Sequence, residues 1–318
     1  MTKGEAIVVK NAGSHFVLGL LPQWELFPAV LRGRVRLNAS SATNPIAVGD
    51  RVEFEYDETP SEKHPAQITS ILARKNHIVR KSTNLSRQSH VIAANLDRVF
   101  LVTTLFFPEV KLPFLDRQLV TCEMYKIPVT IVLNKVDLYR DEASEQVEYF
   151  KSIYMRAGYN VVETSAKTKE GIDTLRKLCH GQGNSLGINL ISGESGVGKS
   201  SLIKAIDPSL DPKIGDISIA HLQGKHTTSL YEMYPISTGG YIIDTPGLRA
   251  FGLQGLEKEE VYTYFPEMLE VSRHCRFTPC SHTHEPGCAV KEAVERGEIA
   301  PERYNSYIGM LEEDGKFR

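Results

Sequence analysis

Three short motifs, each at the end of an apolar run, occur in this chain in an order that limits its fold more strongly than any other feature. Asn134-Lys135-Val136-Asp137 comes first, Gly193-Glu194-Ser195-Gly196-Val197-Gly198-Lys199-Ser200 second, and Asp244-Thr245-Pro246-Gly247 third. In most GTPases the phosphate loop leads and the Asn-Lys-x-Asp loop closes the series. The set is complete here but starts in a different place.

The phosphate loop follows the apolar run Ile188 to Ile191 and precedes the helical stretch Ser201 to Ile206. That strand-loop-helix setting gives Gly-x4-Gly-Lys-Ser its meaning. The glycines let backbone N–H groups turn toward phosphate oxygens, and the helix N-terminus adds positive potential. Lys199 is expected to reach the β- and γ-phosphates and Ser200 to ligate Mg2+, with Ser192 and Ser201 flanking the nucleotide-contacting run Gly193 to Ser200. Asp137 sets the base, because a carboxylate accepts from both the ring N–H and the 2-amino group of guanine, which adenine lacks. Asn134, Lys135 and Val136 shape and cover that pocket, and Ser165-Ala166-Lys167, after Thr164, matches the last guanine-contacting loop.

Asp244 is expected to hold a Mg2+-bound water, and the Gly247 N–H to sense the γ-phosphate. Leu248 stands where many GTPases place a water-orienting Gln. The first switch falls at Gly224-Lys225-His226-Thr227-Thr228, where Thr228, with Thr227 as the alternative, is the expected second Mg2+ ligand. His226 is the nearby side chain suited to orienting water. The alternative role for it is that of a loop histidine ordered by a docking partner.

The flanks differ from the centre. Five β-rich segments, Ala6 to Lys10, His15 to Leu21, Ala29 to Leu37, Arg51 to Tyr56 and Gln67 to Leu72, predict a small closed barrel over residues 1–75, best matched by an oligonucleotide/oligosaccharide-binding (OB) fold. Residues 1–90 carry 12 Lys and Arg against 8 Asp and Glu. Arg32, Arg34, Arg36, Arg74, Lys75, Arg80, Lys81 and Arg87 make this end a candidate polyanion face in a chain whose net charge is only -2. A polar linker is expected from Lys75 to His90. Alternating strands and helices then predict an α/β domain with a mostly parallel sheet over residues 76–254.

Cys275, Cys280, His282 and Cys288 supply three thiolates and an imidazole within fourteen positions, a closed tetrahedral Zn2+ shell, with His274 and His284 as alternative nitrogens. The segment 255–318 reads as a helical zinc domain with few apolar residues, whose folding is expected to require the metal. Cys122 and Cys179 read as buried thiols rather than as a disulfide framework. No run approaches the length needed to span a bilayer, and the start lacks a secretory apolar core, so a cytoplasmic protein is expected.

With these residues in place, the chain resembles one family closely along nearly its whole length. This is the family of small-ribosomal-subunit-dependent, circularly permuted bacterial GTPases typified by RsgA (YjeQ, YloQ). Val48-Gly49-Asp50-Arg51-Val52 in the β-rich front, the three nucleotide motifs, the Gly224 to Thr228 segment and the Cys/His cluster carry the resemblance. It implies an N-terminal OB barrel, a central permuted GTPase domain and a C-terminal zinc domain. It also implies late maturation of the 30S subunit, binding to 16S rRNA near the decoding region, and subunit-stimulated GTP hydrolysis that drives release. A monomer is expected. The competing reading is a nucleotide-gated RNA-binding scaffold with little turnover. Because the chain runs from the second switch directly into the zinc domain, loss of γ-phosphate is expected to reorient that domain against rRNA.

Overall fold

The computed structural model describes residues 1–13, 15–32, 46–81, 89–183, 185–210, 231–244 and 256–312. Two compact units divide the chain: Met1–Val99 with Ile172–Ser192 and Lys199–Leu248, and Phe100–Gly171 with Gly193–Gly198 and Arg249–Arg318.

In the first unit, strand alternation builds the front end. The strands are β1 (Thr2–Ala12), β2 (His15–Leu20), β3 (Glu25–Leu31), β4 (Arg51–Tyr56) and β5 (Ala66–Ile71). β1 pairs with β2, β2 with β3, β3 in parallel with β5, β5 with β4, and β4 returns to β1, closing the expected five-stranded barrel. Val8, Phe16, Leu18, Val52, Phe54 and Ile68 fill it, while Arg51 and Glu53 on the same strands face out. This is the period-2 pattern that a half-buried strand requires. Asp50, fully buried, accepts from Arg74 at 2.6 and 2.7 Å and from the Ala47 N–H at 2.8 Å.

The stretch from Lys75 to His90 is not a plain linker. It contains β6 (His77–Lys81) and the start of β7 (Ser89–Ala94), an antiparallel pair. Side-chain amides extend the pairing beyond the strands: Asn76 exchanges two bonds with the Leu96 backbone at 2.8 Å, and Asn95 donates to the Gly49 carbonyl at 2.9 Å. The polar composition that suggested a linker supplies these bonds.

The same unit carries β11 (Ile188–Gly193, through Ser192), β12 (Tyr231–Pro235), β13 (Tyr241–Asp244), α3 (Ile172–Cys179) and α4 (Lys199–Ile206). β11 and β13 run parallel, with Ile191 opposite Asp244, and β12 is antiparallel to β13. β1 is long enough to take a third partner beside β2 and β4. Its Lys10 and Asn11 pair with Glu232 and Tyr231 of β12, and Lys10 Nζ reaches Glu232 at 2.9 Å. Trp24, in the β2–β3 turn, stacks on Tyr241 with ring centroids 5.5 Å apart.

The second unit holds most of β8 (Arg98–Thr103), together with β9 (Val129–Asn134), β10 (Asn160–Thr164), α1 (Leu112–Met124) and α2 (Ser144–Arg156). β9 and β10 are parallel, with Thr164 opposite Asn134. Val147, Phe150, Ile153 and Tyr154 form the buried stripe of α2 at helical spacing. The unit ends in a 3-10 turn at Lys258–Tyr264, α5 (Pro266–Ser272), α6 (Ala289–Glu295) and α7 (Pro301–Glu312). Phe265, Met268, Val290, Ala293, Ile299, Tyr307 and Met310 pack there against Val120 of α1. This terminal region is therefore richer in buried apolar groups than its sequence suggested. No helix among the described residues is long and apolar enough to cross a membrane.

Candidate nucleotide site and metal centre

The loops expected to contact the base leave the carboxyl ends of two adjacent parallel strands, where open α/β sheets present ligand-contacting loops. Asn134 ends β9, is almost fully buried, and joins three segments. Its Nδ2 donates to the Val197 carbonyl at 2.8 Å, its Oδ1 accepts from Thr164 Oγ1 at 3.1 Å, and its own carbonyl accepts from Tyr139 Oη at 2.7 Å. Burial pushes the Tyr139 phenol up to about 12, so it stays a neutral donor. Lys135 adopts a left-handed backbone, with φ 63°. Its Nζ donates to the Gly196 carbonyl at 2.6 Å and to the Phe107 carbonyl at 2.8 Å.

Val136 is buried and anchors the 3-10 turn Val136–Leu138 that carries Asp137. Asp137 Oδ1 accepts from Ser165 Oγ at 2.6 Å, and Ser165 Oγ in turn accepts from the Thr168 N–H at 3.0 Å. One carboxylate oxygen is thus fixed, which aims the carboxylate as a unit. Ala166 is half-buried and Lys167 exposed in the same turn.

The phosphate loop shares the second unit as far as Gly198. Gly193 and Gly198 are required by space as well as by backbone. A Cβ on Gly193 would lie 2.1 Å from the Val102 carbonyl oxygen, and one on Gly198 would lie 2.5 Å from Asn134 Nδ2. Val197 is the loop's buried anchor, while Ser195 and Gly196 are exposed and Glu194 is half-buried, 3.8 Å from Lys111. Ser192, buried, closes the strand before the loop.

In the first unit, Lys199, Ser200 and Ser201 begin α4, and Asp244 ends β13. Register puts Asp244 level with Ile191, near the point where β11 gives way to the loop. The α4 end is pinned by Asp207, which accepts from the Ser209 N–H and hydroxyl and from the Ser237 N–H. Burial works against its charge, but these bonds hold the carboxyl at about 2. His226, Thr227, Thr228 and Gly247 lie outside the described residues.

Two contributors carry no motif signal. Tyr139 acts through a hydroxyl that also receives the Leu105 N–H at 3.4 Å, and Phe107 through a backbone carbonyl. The Asn134-x4-Tyr139 spacing was visible, but nothing in it specified a bond back to the strand end.

Cys275, Cys280, His282 and Cys288 bring one donor atom each to within 4.8 Å of one another. His282 Nδ1 lies 3.6 Å from Cys275 Sγ and 3.5 Å from Cys288 Sγ. Zn–S and Zn–N bonds of about 2.3 and 2.05 Å at a tetrahedral angle put sulfur and nitrogen about 3.6 Å apart, so this donor set fits Zn2+. Burial holds the His282 imidazole toward its neutral form, as a ligand requires. Neither His274 nor His284 belongs to the group. Around it, Glu285 accepts from the Ser281 and Thr283 N–H groups, while Tyr304 and Tyr307 donate to the His282 and Ser281 carbonyls at 2.7 and 2.6 Å.

The basic face expected at the front end is partly neutralised. Arg32 pairs with Glu55, Lys75 with Asp97, and Arg74 with buried Asp50. Arg34, Arg36 and Arg87 lie outside the described residues.

The RsgA GTPase family model matches residues 71–254. A small ribosomal subunit biogenesis GTPase RsgA from Bacteroides fragilis is 43% identical over 316 residues, covering 99% of both chains. The crystal structure of YjeQ from Thermotoga maritima matches 98% of each chain at 34% identity and a TM-score of 0.77. YloQ, a circularly permuted GTPase, covers 98% of this chain and 94% of its own at a TM-score of 0.71 and 24% identity, a likeness of fold. The rotated order of the motifs is thus carried by a permuted GTPase fold with a barrel before it and a Cys3His group after it, and the chain belongs to the RsgA GTPase family.

Proposed function

We propose that this GTPase acts in late maturation of the small ribosomal subunit. It binds the 30S particle in its GTP form, contacts 16S rRNA near the decoding region, and hydrolyses GTP in a subunit-stimulated step that releases it. The name carried by near-full-length relatives supports the partner. Membership of a GTPase family disfavours the scaffold reading with little turnover. Residues 1–75 are assigned to RNA binding, 76–254 to the nucleotide and 255–318 to a structural zinc domain, in a cytoplasmic monomer.

The observation that carries the nucleotide reading is the Ser165–Asp137 bond at 2.6 Å, which leaves the rest of the carboxylate to accept from guanine. Lys135, fixed at Gly196, lays its stem beside the base. The N–H groups of Gly193 to Gly198 and Lys199 hold the phosphates, with Ser192 and Ser201 at the margins. Ser200, Thr228 and Asp244 would hold Mg2+, which would neutralise charge on the nucleotide's phosphates. Gly247 reports the γ-phosphate and His226 orients the attacking water. Co-sedimentation with purified 30S subunits tests the partner. Binding with a non-hydrolysable GTP analogue and release with GDP are expected; equal recovery in both states would count against the release step.

A further inference from the structure

α7 bonds in two directions. Tyr304 and Tyr307 donate to the carbonyls of His282 and Ser281 in the metal loop. Arg303, 1% exposed, donates Nη1 to Asp116 Oδ1 of α1 at 2.8 Å and Nε to Glu267 Oε1 of α5 at 2.7 Å, with its guanidinium 4.5 Å from the Phe265 ring centroid. Beside this lock, Tyr149 donates to Glu302 at 2.6 Å and Arg156 to the Gly297 carbonyl at 2.7 Å.

α1 in turn begins where the loop 104–111 ends. That loop is closed on itself by Thr104 Oγ1 to the Pro108 carbonyl at 2.7 Å and by Val110 N–H to the Leu105 carbonyl at 3.2 Å. It is wired to the base loop through Leu105–Tyr139 and Phe107–Lys135. A continuous series of bonds therefore runs from the metal loop through α7, Arg303, Asp116 and α1 to Lys135.

We propose that Arg303 is a positioning residue for guanine-nucleotide binding: by fixing Asp116 it fixes α1, and α1 fixes the loop on which Lys135 rests. The zinc module then braces the base-reading loop. Removing the guanidinium leaves the buried Asp116 carboxylate uncompensated, so α1 shifts toward water or partners. Hydrogen-bonded sites tolerate only about half an ångström of such drift. The brace rests on the nucleotide reading above, and because binding linkage is reciprocal, GDP must stabilise α7 by the same factor that α7 strengthens GDP binding.

Fluorescence titration with a labelled GDP on the full-length zinc-loaded protein tests this. Arg303→Met is expected to raise Kd about tenfold, with KM rising in step and kcat changing little, and Arg303→Lys to recover part of the loss. In the wild type, GDP is expected to slow amide exchange across 301–312 severalfold, with strand residues 2–12 as an internal reference. An unchanged Kd in Arg303→Met, or equal exchange in 301–312 with and without GDP, would overturn the proposal. If Arg303→Met does not fold, the wild-type exchange decides alone. Labelled GDP failing to bind the wild type would sink the site reading and this inference with it.

Discussion

Asp137 is held by one hydrogen bond and aimed by it, and its substitution gives a sharp residue-scale test. If the carboxylate accepts from guanine as proposed, Asp137→Asn puts a donor where an acceptor is needed. GDP affinity should fall roughly a hundredfold, about two charge-assisted hydrogen bonds, while xanthosine diphosphate gains. Competitive titration reads both. Asp207 offers a pH test. Its carboxyl sits at about 2 in the fold, below an ordinary value of about 3.9, so its stabilisation is present above pH 4 and lost as pH falls through 2. Asp207→Ala should cost on the order of 2–3 kcal/mol at pH 7 and clearly less at pH 3, by urea unfolding. A gap independent of pH would refute this account. At this scale the sequence was legible wherever a side chain's chemistry is special. Asn134, Lys135 and Asp137 stand out because few residue types can do their work. Phe107 contributes a carbonyl that any residue has, so no pattern could mark it.

Elements follow the same division. Most barrel strands were legible because burial on one face imposes a period on the sequence, but β3 begins at Glu25, four residues before the expected segment Ala29 to Leu37, whose end lies outside the described residues. The β6–β7 pair was not, because its buried residues run consecutively instead of alternating and side-chain amides continue the pairing beyond it. β12 escaped for a related reason: Tyr231–Pro235 buries Met233 alone and is defined by its pairings to β13 and β1. The zinc donors were legible from spacing, but the docking of α7 on α1 joins residues 187 positions apart. That docking changes what zinc should do. The apolar cluster around Phe265 and Tyr307 supports α5 to α7. We expect chelation to open chiefly the loop 275–288. Metal analysis should find one zinc per chain in the wild type and a large loss in Cys280→Ser. Most far-UV helical signal should survive in that variant; collapse of the helical signal would mean that the metal, and not the apolar cluster, holds these helices.

At the scale of the whole molecule, rotation distributes the machinery evenly. The first unit contains the barrel together with Lys199, Ser200 and Asp244; the second contains the Cys3His group together with the base loops and Gly193 to Gly198. Each thus carries one flanking module and some of the residues proposed to bind the nucleotide. In the first, β1 of the barrel pairs with β12, which in sequence follows the switch segment Gly224 to Ser229, and Trp24 rests on Tyr241, three residues before Asp244. In the second, Arg303 ties the helices around the Cys3His group to α1, so any movement of that region on loss of γ-phosphate must carry α1 with it. The most direct test of the central claim is steady-state GTP hydrolysis by the full-length protein, alone and with purified 30S subunits. Slow turnover alone and a rise of roughly one to several orders of magnitude with the subunit are expected, as when a partner completes a GTPase site; turnover indifferent to the subunit would rule out subunit-stimulated hydrolysis.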